Sequence, residues 1–162
     1  MKKLLRAREG FTLIELMIVI AVIGILAAVL IPYTFRAQDR ARETGVVNAA
    51  RAIQTGLEMF ASNQVGAPWY PTTATDITST SGNALAALVF PSPKNPFNGL
   101  DYLTASGLLQ ATVPYYLGSD QSSPTGDQLA GVIKYETNGN SYTLTLYGAR
   151  GATLPLQLTG GR

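Results

Sequence analysis

The chain has 162 residues, of which 46% are hydrophobic and 14% charged, with a formal charge of +2. It contains neither Cys nor His, which excludes a disulfide framework, a thiolate metal site and a Cys nucleophile, and removes the commonest general base and transition-metal ligand. The carboxylates, Tyr, Ser and four Lys that remain are a thin inventory for an enzyme, and no cofactor is expected.

Residues 1–10 (MKKLLRAREG) hold Lys2, Lys3, Arg6 and Arg8 against a single acid, Glu9. Residues 16–31 then contain no polar side chain, and extension back to Phe11 adds only Thr12 and Glu15 as interruptions. As a helix, 21 residues span roughly 31 Å, about the hydrocarbon thickness of a bilayer. A run of this length reads as a transmembrane helix. A secretory signal peptide cut near Ala27-Ala28 and a plain membrane anchor are competing readings, but an h-region is normally shorter. Neither explains Glu15, a carboxylate near the start of the apolar run, where ionisable groups are costly and usually have a partner or a role.

Gly10-Phe11-Thr12-Leu13-Ile14-Glu15-Leu16 resembles the processing site of the type IV pilin superfamily, which includes the pseudopilins of type II secretion. Pro32 also falls where many members of that family carry a Pro. The strong match covers about 25 residues; the remainder resembles the family in architecture alone. The resemblance implies that a membrane peptidase removes residues 1–10 after Gly10 and N-methylates the new terminal Phe11. It also implies that Glu15 of one subunit pairs with the terminal amine of a neighbour during assembly. These expectations make chemical sense: Gly lets a protease approach the backbone closely, and in a low-dielectric bundle either charge alone is costly. The alternative for Glu15 is a carboxyl that snorkels to the interface or is protonated. The four leader cations place the N-terminus in the cytoplasm and residues 36–162 outside it.

The helical pattern continues past the apolar run. In residues 36–63, Val46, Ala50, Ile53, Leu57 and Phe60 recur at spacings of four and three, one face of a helix. One helix of about 53 residues, from Phe11 to Asn63, is therefore expected, roughly 80 Å long. Pro32 deprives the Ala28 carbonyl of its partner and Gly24 adds a second weak point, so kinking or local melting is expected between them. Gly45 and Gly56 are further weak points or close packing sites.

Composition changes after Asn63: residues 66–162 hold 12 of the 16 Gly and 8 of the 9 Pro. Residues 72–83, rich in Ser and Thr, read as an exposed loop. Ala84–Val89 reads as a short helical turn with Asn83 as candidate N-cap, 91–99 as a loop, and Asp101–Gln110 as a second short helix. Gly131–Thr137 and Ser141–Tyr147 flank Asn138-Gly139-Asn140, a hairpin signal. Leu154, Leu156 and Leu158 alternate as a third strand, and Pro155 confines it to an edge.

The expected fold class is therefore α+β: leader 1–10, transmembrane or filament-core helix 11–35, amphipathic continuation 36–65, and a head of loops and antiparallel sheet, 66–162. Gly148–Gly151 has no acid, and Asp120 and Asp127 lack EF-hand spacing, so no metal is expected. The Tyr residues read as core fillers. No phosphate loop or nucleic-acid motif occurs, and loss of residues 1–10 would leave 8 basic against 9 acidic side chains; the basic balance is a topology signal. Function reads as a non-enzymatic subunit that polymerises through its N-terminal helix into an extracellular filament. The alternatives are a type II secretion pseudopilin, or a minor pilin or anchored adhesin. The family implies as partners further copies of the chain, a prepilin peptidase and methyltransferase, an assembly ATPase and a platform protein. It places the subunit in the bacterial inner membrane before assembly, and in a surface filament or periplasmic pseudopilus afterwards.

Overall fold

The structure is a computed structural model and describes residues 10–104, 114–119, 121 and 123–162. The leader before Gly10, the second half of the helix expected over 101–110, and Asp120 lie outside the described residues.

Helix α1 runs from Leu13 to Asn63, 51 residues with Pro32 inside it. The chain divides into two compact units, Met1–Gln38 and Asp39–Arg162. In the first, the helix buries nothing: Leu13, Ile14, Met17, Ile20, Ile23 and the other large apolar side chains up to Phe35 are all exposed. In the second, its expected stripe is the floor of a core. Val46, Ala50, Ile53, Leu57 and Phe60 are buried, together with Ala49, Gly56 and Ala61.

The second unit adds α2 (Ala74–Thr78) and α3 (Leu85–Leu88), then a four-stranded antiparallel sheet in the order β1 (Tyr115–Leu117), β2 (Ile133–Thr137), β3 (Ser141–Tyr147), β4 (Thr153–Gly161). The expected α+β class is the one observed. Alternation decides which side chains face α1: Tyr142, Leu144 and Leu146 are buried, while Thr143 and Thr145 are not. Across the pair, Tyr135 lies opposite Leu144 and Thr137 opposite Tyr142. The turn between them has Gly139 at φ 85°. Its Asn138 Oδ1 accepts from the N–H groups of Asn140 (3.0 Å) and Ser141 (2.7 Å), the self-bonding that makes Asn a turn residue.

β4 is one edge of the sheet and β1 the other, and an edge is where Pro155 is tolerated. Its register with β3 shifts between Thr145 and Tyr147, and Pro155, which has no N–H to donate, sits opposite that irregularity.

Three local expectations are corrected. The Ser/Thr stretch is not wholly an exposed loop: Thr73 caps α2 by accepting from Asp76 N (3.2 Å), and Ile77 is buried. Asn83 does not cap α3; the cap position is Ala84, with no side-chain bond. Asn83 reaches α1 instead, donating to the Phe60 carbonyl (3.3 Å) and accepting from Asn63 Nδ2 (2.9 Å). A helix C-terminus has carbonyls without partners, and those outbid a four-residue helix for the amide. Asp101–Thr104 is a bridge and turn, with Asp101 bridging Lys94, so the described part of the expected second helix is not helical.

Candidate functional site

The segment expected to carry function begins at Gly10 and Phe11, both exposed. Thr12 precedes the first helical residue, and Glu15 stands three positions later. Thr12 N donates to Glu15 Oε2 (2.9 Å), Thr12 Oγ1 donates to the same oxygen (2.8 Å), and Glu15 N donates to Thr12 Oγ1 (3.3 Å). This is a reciprocal capping box. It holds the carboxylate at the helix N-terminus, where the aligned peptide dipoles favour negative charge. Thr12 was missed by sequence reasoning, although its signal, a Thr three residues before a Glu at the start of an apolar run, was available. The Glu15 carboxylate is thus positioned within its own chain, by a partner that is neutral.

Beyond it, helical geometry is maintained through Gly24 and Pro32. Pro32 has no N–H to give the Ala28 carbonyl. One turn later, the Thr34 hydroxyl donates to the Ile31 carbonyl (2.8 Å). Among the described residues, α1 is the one helix long and apolar enough to cross a membrane, and its most apolar window has no buried residue.

The head is organised around tyrosines. Tyr70, Tyr102, Tyr115, Tyr135 and Tyr142 are the largest fully buried side chains, and each hydroxyl has an acceptor. Tyr102 donates to the Gly131 carbonyl (2.6 Å), Tyr135 to that of Pro71 (2.9 Å) and Tyr115 to that of Thr72 (3.0 Å). Tyr142 donates to Glu58 Oε1 (2.9 Å), with Tyr70 at 3.4 Å from the same oxygen. Burial pushes the Tyr102, Tyr135 and Tyr142 hydroxyls well above the ordinary tyrosine range, and the Glu58 carboxylate adds to the rise at Tyr142. The expected core role of the aromatics is what the head displays.

The C-terminal loop reaches back to the helix. Ala149 N donates to Glu43 Oε1 (3.2 Å) from the turn Ala149–Gly151. An acid therefore does meet the acid-free Gly148–Gly151 stretch, arriving from α1 as a hydrogen-bond acceptor. Asp127 is exposed in the 3-10 turn Gly126–Leu129.

Residues 5–31 match the family described as the prokaryotic N-terminal methylation motif. Fimbrial protein Q of Moraxella bovis is 36% identical over 115 residues, 67% of this chain and 71% of that protein. Type II secretion system core protein G of Pseudomonas aeruginosa is 40% identical over 55 residues, 34% of this chain and 39% of that one. The type IV wide pilus major component of Thermus thermophilus is 62% identical over 42 residues, 26% of this chain and 32% of that one. The last two matches therefore span about two-fifths or less of the relatives' own length. No solved structure matches the chain. With a motif that opens the apolar helix and a Moraxella match that runs through most of both chains, this protein belongs to the type IV pilin superfamily.

Proposed function

We propose that the chain is a structural subunit, not an enzyme, that polymerises through the first half of α1 into a pilus-like filament. The observation that carries this reading is an apolar helix half that nothing among the described residues covers. Such a surface needs lipid before assembly and neighbouring helices after it, because exposure to water costs roughly 25 cal/mol per Å². Cleavage between Gly10 and Phe11, followed by N-methylation of Phe11, supplies the terminal amine. Glu15 of a neighbour supplies its counter-charge, and Thr12 keeps that carboxylate at a fixed height on the helix. The subunit waits in the inner membrane, N-terminus inward, and is drawn out by a cytoplasmic ATPase acting through a platform protein, which further implies a peptidase-methyltransferase upstream. In the filament, the Gly24–Pro32 stretch is where α1 yields, since it already lacks one ladder bond. The four modules 1–10, 11–35, 36–65 and 66–162 divide this work into address, core, bridge and exterior.

Two measurements test it. Intact-mass analysis of the mature protein should find Phe11 at the N-terminus with one added methyl group; a terminus elsewhere defeats the reading. Glu15→Val should be cleaved normally yet be lost from sheared filaments; undiminished incorporation removes the pairing role. A secretion pseudopilin is the second reading, favoured by the likeness to a secretion core protein. Long sheared fibres in electron micrographs, against short periplasmic ones, separate the two.

A further inference from the structure

Among the described residues of the head, Phe90 is a large apolar side chain that the fold leaves outside, and beside α1 lies an apolar groove that the fold leaves unfilled. Phe90 is 85% exposed. It is not a loose residue: Val89 before it packs against Gly56 of α1 so closely that a Cβ on Gly56 would overlap its Cγ2, and Pro91 after it fixes the backbone. The groove has a volume of about 360 Å³ and lies between α1 and the edge strand β4, lined by Val47, Leu154, Pro155 and Leu156 with Arg40 and Glu43 at its rim. A cavity of about 150 Å³ already accepts a benzene ring, so a phenylalanine side chain fits.

Their placement matters more than their chemistry. Val47 and Gly56 are nine residues apart on α1, and at about 100° per residue they point to opposite sides of the helix. Val89, the neighbour of Phe90, and the groove therefore sit against opposite sides of α1, and Phe90 is not among the residues that line the groove of its own chain. They also differ in height: from Thr44 at the groove to Gly56, on which the neighbouring Val89 packs, is about 18 Å along the helix.

We propose that Phe90 of one copy inserts into the groove between α1 and β4 of a second copy, as the lateral contact between heads. This deepens the polymerisation reading above and rests on it. Copies leaving one membrane all point the same way, so a closed ring about an axis parallel to the helices would hold every ring and every groove at its own level, and they would never meet. Contact requires each copy to shift along the axis by on the order of 18 Å. A head-to-tail contact with a shift generates an open helix rather than a closed oligomer. The rigid mounting on Gly56 lowers the ordering cost of the insertion. A single side chain of this size sets register; the bulk of the buried area belongs to the apolar helices.

The test exploits the exposure of Phe90, whose replacement disturbs no packing inside the head. The full chain is produced in its native host with the photoreactive Phe90→benzoyl-phenylalanine, and sheared filaments are irradiated and mapped by mass spectrometry. The expected product joins position 90 of one copy to the peptide containing 154–156, or to the segment around Val47, of another. Filaments that form normally but give no product, or products only elsewhere, overturn the proposal. In parallel, Phe90→Ser should lower the yield of sheared filament by about tenfold, the loss that one buried phenylalanine commands, while Phe90→Leu retains most of it. Equal yields for Ser and Phe at position 90 also overturn it. Absence of filaments from the unmodified chain would instead count against polymerisation itself.

Discussion

Gly56 shows how much of the head hangs on one missing side chain. A Cβ there would overlap Val89 Cγ2 and approach Leu85 Cδ1 at 2.9 Å. The residue thus closes the gap between α1 and α3 at the cost of a glycine in a helix, roughly 1 kcal/mol. Gly56→Val should destabilise the head by about 1–3 kcal/mol through overpacking, measured as a lowered denaturation midpoint of the full chain in detergent. A midpoint equal to that of the unsubstituted protein would show that α3 moves aside freely. In the sequence Gly56 was readable only as a weak point or a packing site, because α3 is set by residues thirty positions away. Glu15 is the opposite case. It stands out within the seven residues from Gly10 to Leu16, and the capping partner Thr12 lies within that same window. The neighbour's amine proposed above as its counter-charge lies outside a single chain.

Among the elements, the hairpin of β2 and β3 was the most legible, since Asn138-Gly139-Asn140 and the Tyr142, Leu144, Leu146 alternation are local signals. The structure adds a non-local reason for Gly139. Its carbonyl accepts from the N–H groups of both Trp69 (2.7 Å) and Tyr70 (3.0 Å), tying the turn to the chain that leaves α1. Its φ is 85°, and a Cβ added there would meet that of Pro68 at 3.0 Å, so a side chain has no room. Gly139→Ala should therefore cost about 1–2 kcal/mol, and hydrogen exchange should speed up at Trp69 and Tyr70 as well as in the hairpin; an effect confined to the turn would show that the tie is passive. β1 had no such signal. Three residues, Tyr115–Leu117, are too short for a period, and only pairing with β2 makes them a strand. α2 was obscured for another reason: Thr73 and Asp76 are loop formers by composition, and become a helix cap only when Ile77 has a core to enter.

At the scale of the molecule, a chain without Cys closes its head with tyrosine hydroxyls, and that choice has a pH signature. Tyr102 and Tyr135 are held neutral by burial well beyond the ordinary value, whereas in an unfolded chain they ionise near pH 10. Their contribution is intact below that pH and is lost as pH rises from about 10 toward the folded values, by up to about 1.4 kcal/mol per unit for each group. Lys134, whose ammonium is held up chiefly by its hydrogen bond to Glu136, acts in the same direction. The melting temperature should be level from pH 8 to 9.5 and fall steeply by pH 11; a level curve throughout would mean that the tyrosines are wetter than the structure places them. The head also carries its own optical reporter. Trp69 is the sole tryptophan of the chain, and the Arg162 guanidinium lies 5.6 Å from its ring centre, just past the end of the edge strand β4. Detachment of β4 would take that cation away and admit water to the indole. Emission from one unlabelled residue would then register the loosening of the last strand, in a membrane-held subunit or in an intact fibre.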